Sequence, residues 1–388
     1  MKAFQNAKVV FPDKIREMTV LVEDGKIADL VERADEGMET VDCEGLYLAP
    51  GFVDVHVHGG GGYSAMSHDA ADIVKMAEAH LSHGTTSIVP TTLASTIDNL
   101  HGAMDAIAKA CVESKKAHVL GIHLEGPYIS LQFKGAQSPE DILTPAKTDP
   151  AVLLDYSDKI VLMGAAPEID GGLMLGDEIV KRGIVASVAH SAATYDIMEK
   201  ALAHGYSDIT HIYSACSSCT KINNFRVGGV VEGGLSLDGY TAQFIGDLRH
   251  LPVELLRIIY KCKGPDLAYG VSDGLEFAGM DMEEGGIYRQ NNGLEVVYED
   301  GVMKLADRSC LAGSVTTMSK ICRNLYKTVG VPLYEAVRMC AATPARVVGY
   351  GDSKGKIAKG YDADFVLFDE DISVKAVYTD GVKRFSTN

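Results

Sequence analysis

The amino-acid sequence predicts an α/β fold: a closed (β/α)8 TIM-like barrel carrying a small β-sandwich domain built from both termini. Through the middle of the chain, apolar strand-like segments alternate with helical stretches, the pattern of βα units around a parallel sheet. Eight such strands can be counted, the number that closes a barrel. At both ends the chain reads instead as short strands broken by Asp-Gly turns.

The first fifty residues supply "NAKVVF", "MTVLVEDGKIADLV" with a hairpin signal at Asp24 and Gly25, and "LYLAPG". The C-terminal "GKIAKGYDADFVLFDEDISVKAVYTDGVKRF" repeats the style, with its turn at Asp380 and Gly381. Neither end alone can bury a sheet face, so residues 1–50 and 355–388 are expected to form one small domain and 51–354 the barrel. The eight barrel strands are placed at "GFVDVHVH", "TSIVPTT", "HVLGIHLEG", "KIVLMGAAPE", "GIVASVAHS", "SDITHIY", "YTAQFIGD" and "LAYGVSDG". A chain of 388 residues suits a barrel of this size with a minor appendage.

A formal net charge of −17 disfavours nucleic acid and anionic membrane surfaces as partners. Any anionic substrate must therefore meet a local basic pocket. No apolar run approaches the ~20 residues that span a bilayer, and "MKAFQNAKVVFPDK" lacks the apolar core of a signal peptide. Cysteines 43, 111, 216, 219, 262, 310, 322 and 340 are scattered, as in a reduced compartment, and a cytoplasmic protein is expected. Cys216 and Cys219 form a single CxxC with no second pair, and are read as a loop with two thiols.

Polar residues fall at the ends of the predicted strands. His56 and His58 end the first, Glu125 the third, Glu168 the fourth, His190 the fifth, His211 the sixth, Asp247 the seventh and Asp273 the eighth. In a (β/α)8 barrel the C-terminal strand ends meet at one mouth, so these residues are expected to converge. Residues two apart on a strand share a face, and both histidines of "HVH" can aim inward. Imidazole with carboxylate suits zinc, iron or a similar divalent ion with a position left for water. His56, His58, Glu125, His190 and His211 supply that set. Asp273 is the general base and acid of a hydrolysis or a further ligand, and the two roles are compatible. His123, on the same strand face as Glu125, is placed behind the ligands. His80, His83, His101 and His204 lie in helical stretches and are read as packing or surface residues. The Gly59–Gly62 run lacks the lysine and spacing of a phosphate-binding loop and is expected to let backbone pass close to the metal cluster.

Several segments together resemble the amidohydrolase superfamily and, within it, the N-acetylglucosamine-6-phosphate deacetylase family. They are "PGFVDVHVHG", "HLEGPYIS" with "KGAQ", "AAPE", "VAHSAAT", "THIYSA", "VSDG", "LAGSVTTM", "ATPAR" and "GKIAKGYDADFVLFD", spread over nearly the whole chain. "HLEGP" is the most specific, because Glu125 falls where many amidohydrolases carry a carboxylated lysine. The resemblance implies that Glu125, His190 and His211 bind the principal metal and that Asp273 is the catalytic acid/base. One or two ions per subunit are implied, with zinc first and iron, manganese or cobalt as alternatives. It further implies substrate contacts at Ala136 and Gln137, at Ser214 and Ala215, at His250, and at Leu311, Ala312 and Gly313.

Two segments depart from the family pattern. A substrate-binding asparagine is replaced by Ser214 in "HIYSACS", and "GDLRHLP" keeps Asp247 and His250 while placing Leu248 at a glycine and adding Arg249. The family's phosphate-contacting arginine, which reaches into the neighbouring subunit's site, matches Arg226, with Lys221 as its rival; a homodimer is thereby implied. Arg226, Arg249 and His250 are the expected basic pocket for phosphate. The implied reaction is metal-dependent hydrolysis of the acetamide of an N-acetylated amino-sugar phosphate. The alternatives are deacetylation of the galactosamine epimer, a cyclic amidase, or a silent barrel that binds sugar phosphates.

Overall fold

In the computed structural model, which describes residues 1–290, 293–309 and 311–387, all eight predicted barrel strands form. They are β1 (Phe52–Val57), β2 (Thr85–Thr92), β3 (Ile122–Glu125), β4 (Ile160–Ala165), β5 (Val185–Val188), β6 (Tyr206–Ile209), β7 (Thr241–Ile245) and β8 (Ala268–Val271). Each pairs in parallel with the next. The ring closes just beyond the strands, through a parallel bridge between Val57 and Gly274. At the same place Asp273 N donates to His56 O and His58 N to Gly274 O, both at 2.9 Å.

Helices follow the strands and cover the barrel from outside. Asp69 caps Ala70–Leu81 by accepting from Ala71 N, and Thr96 caps Ile97–Glu113 by accepting from Asn99 N. Both bury one apolar stripe, including Ile73, Met76, Leu100 and Ile107, against the strands. No helix among the described residues is long and apolar enough to cross a membrane.

The two ends of the chain meet in one sheet. Its strands run in the order Val382–Ser386, Val374–Thr379, Phe365–Phe368, Tyr47–Pro50, Lys2–Val10, Ile15–Glu23, Lys26–Val31, with Glu39–Asp42 also on Lys2–Val10. Both predicted Asp-Gly turns form with positive φ at each residue, +49° and +77° at Asp24 and Gly25, +51° and +71° at Asp380 and Gly381. The expected sandwich is this single sheet rolled over on itself. Phe4 and Tyr378 stand three strands apart, about 14 Å if the sheet were flat, yet their rings meet edge-on at 4.9 Å.

A second small sheet was not expected. Ile287–Arg289, Glu295–Glu299 and Val302–Leu305 form an antiparallel unit at the barrel mouth, with Leu275, Phe277, Val296 and Met303 in its core. Its Asp300-Gly301 turn has φ of +57° and +79°. The signal is the one read at the chain ends, but in the middle of the chain it belongs to an excursion from the barrel. Cys310 lies outside the described residues.

The terminal sheet is fastened to the barrel by a buried charge cluster. Lys354 Nζ lies 2.8 Å from both Asp362 Oδ2 and Asp364 Oδ2, and His118 Nε2, just before β3, lies 3.2 Å from Asp364. Burial opposes ionisation of Asp364, but His118 and Lys354 outweigh it and hold the carboxyl below the usual range. With its native pKa depressed, the stability it contributes is complete above the unfolded value near ~3.9 and drains away as pH falls from there through the lower native value. Lys354→Met, which removes the ammonium and leaves Asp364 with only His118 and the Asp380 N–H, should cost about 1–3 kcal/mol in urea denaturation at neutral pH. The difference from wild type should shrink in acid.

Candidate metal and catalytic site

Six of the predicted site residues converge at the mouth. His56 lies within β1, His58 directly after it, and Glu125 ends β3. His190, His211 and Asp273 each follow the last residue of β5, β6 and β8 by two positions. These three have positive φ, of 44°, 26° and 47°, a conformation that costs about 1–3 kcal/mol in a non-glycine residue. Turning the chain there points each side chain back over the barrel axis. Neighbouring loops hold the turns: Ser130 N donates to His190 O at 2.9 Å, and Asp273 N is tied to His56 O. Glu168 accepts from Ser191 Oγ at 2.6 Å and Ala192 N, so it braces the His190 turn and stays out of the mouth.

The converging atoms are imidazole Nε2 and carboxylate oxygens. Glu125 Oε1 lies 2.9 Å from His211 Nε2, 3.1 Å from His190 Nε2 and 3.4 Å from His56 Nε2. Asp273 Oδ1 lies 3.2 Å from His58 Nε2 and 3.5 Å from His56 Nε2. Two overlapping groups, His56 with Glu125 and His211, and His56 with His58 and Asp273, each bring their ligand atoms within 4.8 Å of one another.

The donor chemistry fits a divalent ion. His58 Nδ1 bonds Thr91 O at 3.0 Å, His190 Nδ1 bonds Phe133 O at 2.8 Å, and His56 Nδ1 bonds Gln243 Oε1 at 3.0 Å. Each acceptor takes the N–H at Nδ1 and turns Nε2 toward a carboxylate oxygen, where it either carries a second proton or binds a cation. Such contacts are repulsive unless a proton or cation lies between them. Glu125 is further held by Gln137, whose Nε2 donates to Oε2 at 3.0 Å.

The ionisation states follow from the same contacts. Burial opposes the charge on Glu125, yet the facing imidazoles of His56 and His190 and the bonds of His190 and His211 hold it well below the usual carboxylate range. At Asp273 burial is likewise outweighed, by the His58 hydrogen bond and neighbouring imidazole charge, and its carboxyl is pulled down to about 2. His58 is pushed up to about 10, since Asp273 and Glu125 more than offset its burial. His123 is held well below its ordinary value, chiefly by burial, so its ring stays neutral edge-on to His56 at 4.7 Å.

Above this cluster is a cavity of about 410 Å³. Ala136, Gln137, Ser214, Ala215, His250, Leu311, Ala312 and Gly313 all line it, as expected of substrate contacts. Gln137 has already committed its side-chain amide, to Glu125 and to Ala94 N at 2.9 Å. His250 Nδ1 is tied to Asp247 at 2.7 Å, which raises its pKa against the effect of burial.

Within the expected basic pocket, the place of Arg249 is corrected. Only His250 of its three members lines the cavity. Asp247 also accepts from Arg249 N and His250 N, both at 2.8 Å, and this tight turn sends Arg249 to a separate 250 Å³ cleft with Lys320 and Arg323. Arg226 sits opposite Lys221 on an exposed hairpin, Thr220–Ile222 with Phe225–Val227, and neither reaches the cavity of its own chain. Cys216 and Cys219 are free, and burial pushes the Cys216 thiol up to about 12. The sequence reading missed Leu93, Phe133, Gln290 and Leu294 in the cavity wall and Gln243 beneath it. For Gln243 a signal existed: a glutamine inside an apolar, fully buried strand.

A (β/α)8 barrel with imidazoles and carboxylates gathered at its C-terminal strand ends defines a metal-dependent hydrolase architecture. Residues 47–241 and 290–384 match the amidohydrolase family model, and the chain belongs to that family. The N-acetylglucosamine-6-phosphate deacetylase of Lysinibacillus sphaericus is 31% identical over 382 residues, 96% of this chain and 94% of that protein. The crystal structure of the enzyme of that name from Pasteurella multocida superposes with a TM-score of 0.91 at 29% identity, covering 100% of both chains. A mutant of the Mycobacterium smegmatis enzyme, in complex with N-acetyl-D-glucosamine-6-phosphate, matches with a TM-score of 0.88 at 26% identity over 99% of each chain.

The glycine run behaves differently from expectation. A Cβ on Gly59 would stand 2.6 Å from Glu276 Cα and N, and one on Gly60 2.4 Å from His80 Nε2. The close approach is to the segment after Asp273 and to the His80 ring, rather than to the metal-type ligands. Gly59→Ala should cost about 1–3 kcal/mol of stability through overpacking against rigid backbone, read as a lowered melting temperature.

Proposed function

We propose that this protein is a metal-dependent deacetylase that hydrolyses the acetamide of N-acetylglucosamine 6-phosphate to glucosamine 6-phosphate and acetate. The observation that carries this reading is the convergence of Asp273, Glu125, His58, His190 and His211 on the floor of one cavity, with His56 buried directly against Glu125 and Asp273. Full-length relatives that carry the name of this activity support the choice of substrate. Glu125, His190 and His211 would hold the principal ion, and His56 and His58 a second. A bound divalent ion, with zinc first and iron, manganese or cobalt as alternatives, supplies Lewis acidity toward water and the amide carbonyl.

Asp273, ionised and within hydrogen-bond reach of His58, takes the proton of the attacking water and delivers it to the leaving nitrogen. Oxyanion charge develops over the imidazole cluster, where low exposure strengthens every electrostatic contact. His250, with Nδ1 committed to Asp247, has Nε2 for a sugar hydroxyl. The main chain at Ser214–Ala215 and Leu311–Gly313 borders the same space.

No lysine or arginine among the described residues lines the cavity, so a phosphate there lacks a cation from its own chain. The hairpin bearing Arg226 exposes Phe225 (76%) and Ile222 (47%), apolar surface suited to a second copy. We read the protein as a homodimer in which Arg226 completes the partner's site. The division into a terminal β domain (1–50 with 355–388) and a catalytic barrel (51–354) belongs to the same proposal. So does a cytoplasmic setting, supported by the seven cysteines among the described residues, all of them free thiols.

Acetate release from zinc-reconstituted protein should favour N-acetylglucosamine 6-phosphate over its unphosphorylated parent by ~10²-fold or more in kcat/KM. Preference for the galactosamine epimer would move the assignment to that sugar, and no turnover of any of these three N-acetylhexosamines would end the deacetylase reading. Asp273→Asn should lower kcat by about 10²–10⁴-fold. Mixing Arg226→Ala with Asp273→Asn subunits should restore about a quarter of wild-type activity if Arg226 acts across a two-fold interface, and none if it acts within its own chain.

A further inference from the structure

Three of the four converging imidazoles have a partner at Nδ1, and for His58 and His190 that partner is a main-chain carbonyl. His56 alone is fixed by a side chain. Gln243, on β7 and fully buried, places Oε1 3.0 Å from His56 Nδ1 and donates from Nε2 to Asp208 Oδ2 at 2.8 Å. A primary amide has one acceptor end and one donor end, and reversing it would exchange them.

Asp208 decides which way the amide lies. Its carboxylate accepts from Thr241 Oγ1 at 2.6 Å, Tyr269 OH at 2.9 Å and Ser187 Oγ at 2.9 Å. It offers Gln243 an acceptor, so Gln243 turns Nε2 toward it and Oε1 toward His56. His56 must then carry its proton on Nδ1, which leaves the Nε2 lone pair aimed at Glu125 Oε1 and Asp273 Oδ1, 3.4 and 3.5 Å away. Asp208, Gln243, Tyr269 and His56 are all 0% exposed, so water is not available to replace a lost partner.

We infer that Gln243 and Asp208 are positioning residues that hold His56 in its Nδ1–H tautomer and so prepare Nε2 as a metal ligand. This rests on the reading of His56 as a ligand. Gln243 also reaches the other side of the cluster, since its main-chain oxygen accepts from Ile212 N, next to His211, at 2.8 Å. Gln243 therefore touches His56 through its side chain and the residue beside His211 through its main chain.

The test compares Gln243→Met, matched in length but with no acceptor, with Gln243→Glu, whose carboxyl shares a proton with Asp208 and keeps an oxygen at His56. The readout is zinc affinity of metal-stripped protein in competition with a chelator, alongside thermal unfolding to establish the fold. Gln243→Met should bind zinc about 10–100-fold more weakly, and Gln243→Glu should recover most of that loss. Equal affinity in wild type and Gln243→Met, or equal loss in both variants, would overturn the inference. Nitrogen NMR of histidine-labelled wild type decides it independently of variant folding: a proton on His56 Nδ1 supports the inference, and a bare Nδ1 overturns it. A wild-type chain that binds no zinc would remove the ligand reading and leave this nitrogen assignment to stand or fall alone.

Discussion

Two carboxylates, Glu125 and Asp273, lie almost out of reach of solvent among four imidazoles, and a buried charge without a partner costs several kcal/mol. Compensation therefore governs the surrounding architecture. Three rings are turned by acceptors at Nδ1 so that Nε2 meets the carboxylates, and Gln137 clamps the remaining oxygen of Glu125. The same need explains the strained turns at His190, His211 and Asp273. Their side chains reach the axis only if the backbone leaves the strand abruptly, and that strain is offset by hydrogen bonds from neighbouring loops.

Closure of the barrel and assembly of the site are one event. The strand ring is completed by the segment from Ser272 to Gly274, whose backbone bonds to His56 and His58. Asp273 takes its place because β8 meets β1 there. A change that loosened this seam would act on geometry and ionisation together, since the depressed pKa of Asp273 depends on contact with His58. Gly59 belongs to the same seam: main chain crosses main chain where a methyl group would not fit.

Much of this was legible from residue order. Apolar segments alternating with helical stretches located all eight strands, and polar residues at their ends located the six converging side chains, because a barrel gathers such ends at one mouth. Hairpins at Asp24-Gly25 and Asp380-Gly381 were legible because a two-residue turn with positive φ is a local requirement. The sheet at the mouth carried the same signal at Asp300-Gly301 and was missed, as an insertion within a repeating βα pattern has no period of its own. Arg249 was misplaced for a related reason. Its direction is set by Asp247 gripping the two residues that follow it, a contact that spacing does not reveal. Gln137 was placed correctly in the cavity wall, but its amide is spent on Glu125, a partner twelve residues away on another element.

The sequence by itself determined which side chains could form the centre, since residue type and strand-end position are local properties. It also determined the chain's acidity and the pairing of its two ends. Tertiary structure alone decided which nitrogen of each histidine faces inward, which carboxylates ionise, and which cations stay outside the cavity. Those outcomes depend on hydrogen-bond partners and burial contributed by segments far apart along the chain, such as Gln243 against His56, and no local pattern encodes them.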